Sequence, residues 1–179
     1  MQSSFYRPEI DGLRAVAVVP VVLFHAGLPI FGGGFVGVDV FFVVSGFLIT
    51  QILMRHISER EFSIALFYER RVRRIAPALL VVLLVSSLLA GILLLPEDLM
   101  NFAQSLLATV FFASNFFFWS DTGYFTVPAE LKPLLHTWSL AVEEQFYILY
   151  PLTIAAVLRF WPGSLSLLVW LALLSSFAL

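Results

Sequence analysis

The sequence predicts an all-α protein, a polytopic bundle of membrane helices, and three observations support this fold class. Hydrophobic residues make up 60% of the 179 residues and charged residues only 12%, against about 25% charged in soluble domains. Phe alone occupies 19 positions. Several apolar runs reach the length of about 20 residues that a membrane helix needs. We therefore expect five complete spans and a truncated sixth, with residues 1–179 forming one membrane domain that is incomplete at its C-terminus.

The first span is predicted over 11–31 and carries Arg14 and His25. Helical geometry brings these two residues within about 20° of each other around the axis and places them about 16 Å apart along it. A charged group inside a membrane helix costs about 2.5–3.5 kcal/mol and usually faces a partner or a polar cavity. The pair therefore predicts the wall of a polar channel. A secretory signal peptide is the less favoured alternative, because no small-residue cleavage site ends the run.

The second span is predicted over 35–54, with Asp39 near its outer end. The glycine-rich connection at residues 32–34 is short, so the first two helices should be antiparallel neighbours. Asp39 and His25 are therefore expected at similar depth. There a carboxylate would orient the imidazole and leave its other nitrogen free to take a proton. A buried pair that only locks the hairpin is the alternative.

The third span, predicted over 75–95, follows the densest charge cluster of the chain. Six of the ten basic residues fall between Arg55 and Arg74, and loops with such an excess stay in the cytoplasm. The N-terminus is therefore expected on the cytoplasmic side of the cell inner (plasma) membrane. Arginines at a helix start also form a fork-donor site for phosphates, with lipid head groups as the alternative ligand. The four clustered arginines are Arg70, Arg71, Arg73 and Arg74.

Two further spans are predicted over 102–119 and 138–158, and a sixth begins near Leu165. The side of the loop 120–137 is open. Counting spans places it inside, whereas Arg159 argues weakly for the outside. A re-entrant stretch within the loop would reconcile the two, since irregular backbone is tolerated where it lines a protein cavity.

The fifth span opens with three polar residues on one helix face, His136, Ser139 and Glu143. Glu144 is rotated about 100° from Glu143, so the two carboxylates should not enter one pocket easily. A carboxylate is costly in a membrane segment. The face therefore predicts a polar site, with a helix-packing hydrogen bond of Glu143 as the alternative.

Composition and spacing also exclude several classes of function. The net charge is −2, and no basic stripe is interleaved with aromatic residues, so we expect no nucleic-acid partner. Cysteine is absent and the histidines lack metal-ligand spacing, so we expect no metal. No phosphate-binding loop matches a known pattern.

The motifs, taken in order, closely resemble those of the acyltransferase 3 family of membrane O-acyltransferases, of the O-antigen and peptidoglycan acetylase type. They read GLRAVAVVPVVLFHA, GGGFVGVDVFFVVSGFLIT, FYERRVRRIAPALL, SNFFFW and LKPLLHTWSLAVEEQFYILYP, and they cover residues 6 to about 151. The resemblance implies a larger helix bundle of which this chain is the N-terminal part. It also implies transfer of an acyl group, preferably acetyl, from cytoplasmic acyl-coenzyme A to a hydroxyl of an extracytoplasmic cell-envelope glycan.

The resemblance carries over to individual residues of this sequence. The family's arginine-ten-histidine motif corresponds to Arg14 and His25, its arginine-x-x-arginine motif to Arg70 with Arg73 or Arg71 with Arg74, and its serine-x-x-x-glutamate motif to Ser139 and Glu143. The implied partners are membrane lipid, the acceptor glycan and acyl-coenzyme A (acetyl-coenzyme A) as donor substrate.

These residues predict a mechanism. The arginines would bind the phosphates of coenzyme A, the thioester would pass Arg14, and His25, oriented by Asp39, would act as general base. Glu143 would support the site, with Ser139 and His136 as substrate-binding residues. Direct attack and a transient acyl-histidine both remain open. The alternatives are a transporter or flippase for an anionic substrate, with His25 and Asp39 as a proton relay, and an inactive fragment.

Overall fold

The computed structural model of the protein describes residues 8–59, 63–121, 132–161 and 163–178. All regular elements in this part of the chain are helices, which confirms the all-α class. The α-helices are α1 Pro8–His25, α2 Gly37–Ser58, α3 Ile64–Leu93, α4 Pro96–Val110, α5 Ser114–Ser120, α6 Thr137–Phe160 and α7 Leu165–Ala178, and two short 3₁₀ turns, Pro29–Phe31 and Gly34–Val36, precede α2.

Three segments are long and apolar enough to cross a membrane by length and composition: Gly34–Ser58, Ile64–Leu93 and Thr137–Phe160. They correspond to the second, third and fifth predicted spans. The predicted count of five complete spans is not confirmed. Helix α1 has 18 residues and carries two carboxylates in its first turn. Helix α7 begins at Leu165, where the sixth segment was expected, and has 14 residues.

The chain divides into two compact units, Met1–Phe62 and Ser63–Leu179. In the first unit, α1 and α2 form the expected antiparallel hairpin, and two glycines set its spacing. A Cβ on Gly34 would overlap the carbonyl of Pro20, and a Cβ on Gly37 would overlap the carbonyl of Ala17. Small residues of this kind let the backbones of membrane helices approach closely.

In the second unit, α3 and α6 run antiparallel. Near the start of α3, the hydroxyl of Tyr68 donates a hydrogen bond to the carbonyl of Ile148, 2.7 Å away. Farther along α3, Leu83 and Ala90 belong to an apolar cluster with Leu134, which precedes α6. Residues later in α3 therefore contact residues earlier in the chain around α6, as expected for antiparallel helices.

The fourth predicted span is not one continuous helix, so the prediction over 102–119 is wrong in this respect. Helix α4 ends at Val110, Phe112 adopts a left-handed φ of 51°, and α5 begins at Ser114. The 15 residues of α4 extend about 22 Å, less than the roughly 30 Å of a bilayer core.

Helix α5 then returns toward the start of α4. Asp121, which follows α5, lines one cleft together with Asp98 in the first turn of α4. Phe118 of α5 and Phe102 of α4 belong to the apolar cluster that contains Leu83. Helices α4 and α5 therefore form a helical hairpin in which α5, with 7 residues, is the shorter arm. The expected re-entrant stretch within 120–137 lies mostly outside the described part of the chain, which lacks residues 122–131.

Candidate functional site

Helix α1 presents both predicted residues of the first unit. Arg14 is half-buried, and its guanidinium lies 4.8 Å from the centre of the Phe41 ring on α2, as in a cation–π contact. His25 is the last residue of α1 and its side chain is exposed within this unit. The structure thus places one residue at the α1–α2 contact and the other at the helix end.

The imidazole of His25 is oriented by the backbone of its own helix. Nδ1 lies 2.8 Å from the carbonyl oxygen of Val21. Because a carbonyl oxygen only accepts, Nδ1 donates in this hydrogen bond, and in the neutral imidazole Nε2 then carries the lone pair. An imidazole held in this tautomer can take a proton at Nε2.

Asp39 does not supply this orientation, which corrects the predicted pairing. Gly37 is level with Ala17, and Phe41 is level with Arg14, so Asp39 lies between these two levels of α1. His25 is eight residues beyond Ala17, about 12 Å farther along the axis. Among the described residues, Asp39 makes no hydrogen bond or ion pair.

The physical reason lies in the connection between the helices. The chain does not turn directly after His25 but folds back beside α1 through the 3₁₀ turn Gly34–Val36, which packs at Pro20. Helix α2 therefore begins beside the middle of α1 and not beside its end. Asp39 is consequently not level with His25, as it would be if a tight turn joined the two helices.

The arginine cluster of the second unit lies on α3, not in a loop. Ser63 caps this helix by accepting a hydrogen bond from the Leu66 amide, 3.4 Å away. The helix begins eleven residues before the predicted span. The clustered arginines are therefore carried by a regular helix, with Arg70 and Arg71 about 100° apart around its axis.

Arg71 is the arginine that faces α6. Its Nη2 lies 3.9 Å from Oε1 of Glu143, with the two side chains 13% and 12% exposed. Its guanidinium carbon lies 3.4 Å from the centre of the Tyr147 ring, and the Tyr147 hydroxyl donates to Glu143. The structure thus joins two motifs that are about seventy residues apart in the chain, and it adds Tyr147, which sequence reasoning missed. The signal was its position one turn after Glu143.

The remaining arginines of the cluster are exposed and form no ion pair with Glu143 among the described residues. Arg73 is 79% exposed on its side chain and pairs with Glu69 one turn earlier, 2.7 Å away. Arg70 and Arg74 are also exposed. Three guanidinium groups are therefore accessible on the outer surface of the second unit, while Arg71 is held inside it.

Glu144 is the second unexpected feature of this site. The residue is 6% exposed, and its Oε1 has no hydrogen-bond partner among the described residues. Nε of Arg71 is likewise buried without a partner in that part of the chain. One unpaired donor and one unpaired acceptor are thus buried on the two helices that form the Arg71–Glu143 contact, and this is costly unless a further group satisfies them.

His136 and Ser139 lie at the start of α6, but the structure does not bring Ser139 to Glu143. The Ser139 hydroxyl donates to the carbonyl of His136, 3.1 Å away. His136 precedes α6 and is exposed. Ser139 and Glu143 are one turn apart on α6, and their side chains contact different groups.

A polar contact holds the break between α4 and α5. Nε2 of Gln145 donates to the carbonyl of Phe112, 2.7 Å away, and to Oδ1 of Asn115, 2.9 Å away. Nδ2 of Asn115 donates back to Gln145, 3.2 Å away. The hydroxyl of Ser114 donates to the carbonyl of Thr137 at 2.9 Å. The Gln145 bond satisfies the Phe112 carbonyl at the break, and the Ser114 bond ties the start of α5 to the start of α6.

The described residues do not form a metal-ligand set. No group of three or more His, Cys, Asp and Glu side chains there could hold a metal ion.

Comparisons with known proteins show which family and which relatives the chain resembles. The acyltransferase domain family matches residues 7–179. The O-acetyltransferase OatA of Staphylococcus aureus, in strains NCTC 8325 / PS 47, COL and MRSA252, is 38% identical over 167 residues, which is 92% of this chain. The chain spans only 28% of the length of these relatives. No solved structure matches the chain.

Proposed function

The chain belongs to the acyltransferase domain family, and from this premise we propose that it is the N-terminal part of a membrane O-acyltransferase. The enzyme would move an acyl group, by preference acetyl, from acyl-coenzyme A to a hydroxyl of an extracytoplasmic cell-envelope glycan. Relatives that carry the name O-acetyltransferase support the reaction type. The observation that carries the proposal is the hydrogen bond from His25 to Val21, because it leaves Nε2 as a base.

His25 would act as the general base. Its Nε2 takes the proton of the acceptor hydroxyl while the hydroxyl oxygen attacks the thioester carbonyl carbon. The carbon–sulfur bond breaks, and the thiolate of coenzyme A takes the proton back from the imidazolium. No oxidant or metal is needed for this balance. Arg14, on the same helix, would bind a polar group of the donor substrate.

The exposed arginines of α3 would bind the phosphates of the donor. Arg70, Arg73 and Arg74 present planar fork donors that suit phosphate oxygens. Arg71 is occupied by Glu143 and Tyr147, so we assign it a supporting role. Glu143 would then position Arg71 instead of contacting the acceptor. Ser139 and His136 stay as proposed substrate-binding residues at the start of α6.

The second unit also favours one orientation in the plasma membrane. The start of α3 carries the arginine cluster, which we place in the cytoplasm together with the N-terminus. Because α6 runs antiparallel to α3, Arg159 near its end comes to the same side. If the α4–α5 hairpin enters and leaves on the side where α3 ends, the loop 120–137 would be extracytoplasmic. This arrangement supports the indication from Arg159 over simple span counting.

The test uses a full-length protein that carries this sequence, in membranes supplied with radiolabelled acetyl-coenzyme A and native envelope glycan. His25→Gln should abolish acetyl transfer at normal membrane abundance. His56→Gln is the matched control, because His56 is half-buried on α2 and has no role in the proposal. Transfer by His25→Gln at the wild-type rate would overturn the assignment. Movement of an anionic substrate without any transfer would favour the transporter alternative.

A further inference from the structure

We propose that the buried carboxylate of Glu144 limits how tightly the arginine cluster holds the phosphates of coenzyme A. This inference rests on the proposed function and deepens it, because it names a residue that sets the affinity of the donor site. Glu144 does not touch the donor. It acts on the phosphates only through the charge that it adds beside Arg71 and Arg74, so its role is in binding and not in the chemical step.

Glu144 lies on the face of α6 that is buried inside the second unit. The residue is 6% exposed. It is the only carboxylate or cation among the buried residues of this helix, which are Thr137, Ala141, Glu144, Tyr147, Pro151 and Ile154. Tyr147, whose ring lies against the Arg71 guanidinium, is three residues later and projects from the same face. The Glu144 carboxylate therefore lies beside the contact between α3 and α6.

No hydrogen bond explains why the carboxylate of Glu144 is buried. Its Oε1 atom has no hydrogen-bond partner among the described residues. A buried acceptor that is left unsatisfied destabilises a fold, and a charged one does so more strongly. Ionisable side chains inside membrane helices accordingly mark functional sites. The charge of Glu144, and not a packing contact, is the property that such a function would use.

The charge of Glu144 acts on two members of the arginine cluster. The carboxylate is attracted by Arg71 and by Arg74, and it is repelled by Glu143. A Coulomb interaction falls only with the inverse of the distance, and it is stronger in a protein interior than in water. Glu144 can therefore reduce the positive potential at both guanidinium groups without a hydrogen bond to either.

The balance of charges determines how strongly the cluster attracts an anion. Its four guanidinium groups interact with three carboxylates, which belong to Glu69, Glu143 and Glu144. Four positive and three negative charges leave a net charge of +1, and without the charge of Glu144 the net charge would be +2. Because phosphate groups are anionic, the cluster would then bind them more tightly.

Tighter binding of the phosphates would not help the reaction. The donor and the released coenzyme A carry the same phosphates, so a stronger site holds both alike. Binding that is equal in the ground state and the transition state lowers KM without raising kcat. Release of product limits turnover in many enzymes. Glu144 would therefore favour the release of coenzyme A after transfer.

The experiment measures the binding of coenzyme A and of inorganic pyrophosphate to the full-length protein, by calorimetry in detergent. Glu144→Gln has nearly the same shape without the charge, and we expect it to bind both probes about tenfold more tightly. Glu144→Asp keeps the charge and should bind them within about threefold of the wild type. Glu97→Gln is the matched control, because it removes an exposed carboxylate on α4, at the end of α3 opposite the cluster.

A pH series adds a readout that a purely structural role would not change. At low pH the carboxyl of Glu144 is as neutral as the amide of Glu144→Gln, so the two proteins should bind coenzyme A equally. As the pH rises and the carboxylate forms, the wild type should bind more weakly than the variant. The other ionisable groups around Glu144 belong to Arg71, Arg74, Glu143 and Tyr147. They are present in both proteins, so they do not account for a difference between them.

The outcomes separate this inference from the proposed function. Equal or weaker binding of coenzyme A by Glu144→Gln would overturn the inference and leave the transferase in place, as would a lower unfolding temperature of this variant. Tighter binding of pyrophosphate by Glu144→Gln in a protein without acetyl transfer would support the role of Glu144 and overturn the transferase. In an active enzyme, Glu144→Gln should lower both the KM for acetyl-coenzyme A and the inhibition constant of coenzyme A, without raising kcat.

Discussion

The guanidinium carbon of Arg71 lies 3.4 Å from the centre of the Tyr147 ring, and the same tyrosine donates its hydroxyl to the carboxylate that pairs with Arg71. One side chain of α6 therefore orients both members of an ion pair between two helices. This contact links the arginine motif of α3 to the carboxylate motif of α6, and it separates Arg71 from the other arginines of its cluster.

Replacing Tyr147 tests whether this contact positions the donor site. Tyr147→Phe keeps the ring and removes the hydroxyl, so Glu143 loses a hydrogen bond to a charged group, which is worth about 1.5–3 kcal/mol. We expect the KM for acetyl-coenzyme A to rise about tenfold, with kcat within about threefold of the wild type. Steady-state kinetics on membranes measure both constants. A fall in kcat with an unchanged KM would contradict the positioning role.

Replacing Gly37 tests the close approach of α1 and α2. In Gly37→Ala, the added Cβ overlaps the Ala17 carbonyl, and overpacking of this kind costs about 1–3 kcal/mol. We expect a lower unfolding temperature in detergent and a lower rate of acetyl transfer. Gly33→Ala is the control, because no atom lies within 4 Å of the Cβ it adds. Equal unfolding temperatures for the two variants would mean that the helices are not in contact at Gly37.

Replacing Gln145 tests the polar contact at the break of the α4–α5 hairpin. Gln145→Leu removes the donor to the Phe112 carbonyl, and an unsatisfied buried acceptor costs about 1–3 kcal/mol. We expect a lower free energy of unfolding, measured by thermal denaturation in detergent. The exposed Gln104 provides the control variant Gln104→Leu. If Gln145→Leu unfolds at the wild-type temperature, the break does not depend on this side chain.

Replacing Asp39 tests whether the Asp39 carboxylate or the Val21 carbonyl orients the His25 imidazole. A carboxylate that oriented His25 would make Asp39→Asn nearly inactive, since an amide can favour the wrong tautomer. The structure gives this task to the Val21 carbonyl, so we expect Asp39→Asn to retain transfer within about threefold of the wild type. The measurement is acetyl transfer normalised to membrane abundance. A loss of about a hundredfold at normal abundance would restore Asp39 as the partner of His25.

Local patterns in the chain were sufficient for the all-α class, the α1–α2 hairpin and the approximate positions of α2, α3, α6 and α7. These features follow from apolar composition and from helical periodicity, which act over one or two turns. The placement of Arg14 and His25 on one helix follows from the same geometry. The roles of these two residues are still predictions that the proposed experiments address.

Features that depend on contacts between distant segments could be identified only in the tertiary structure. The depth of Asp39 follows from the packing of Gly34 and Gly37 on α1, which no local pattern encodes. At the break, the Phe112 carbonyl accepts a hydrogen bond from a side chain 33 residues later. Of four similar arginines, Arg71 alone pairs with Glu143 among the described residues, a choice that the position of α6 beside α3 makes. Such choices are made by long-range packing, so they become visible only when the helices are assembled.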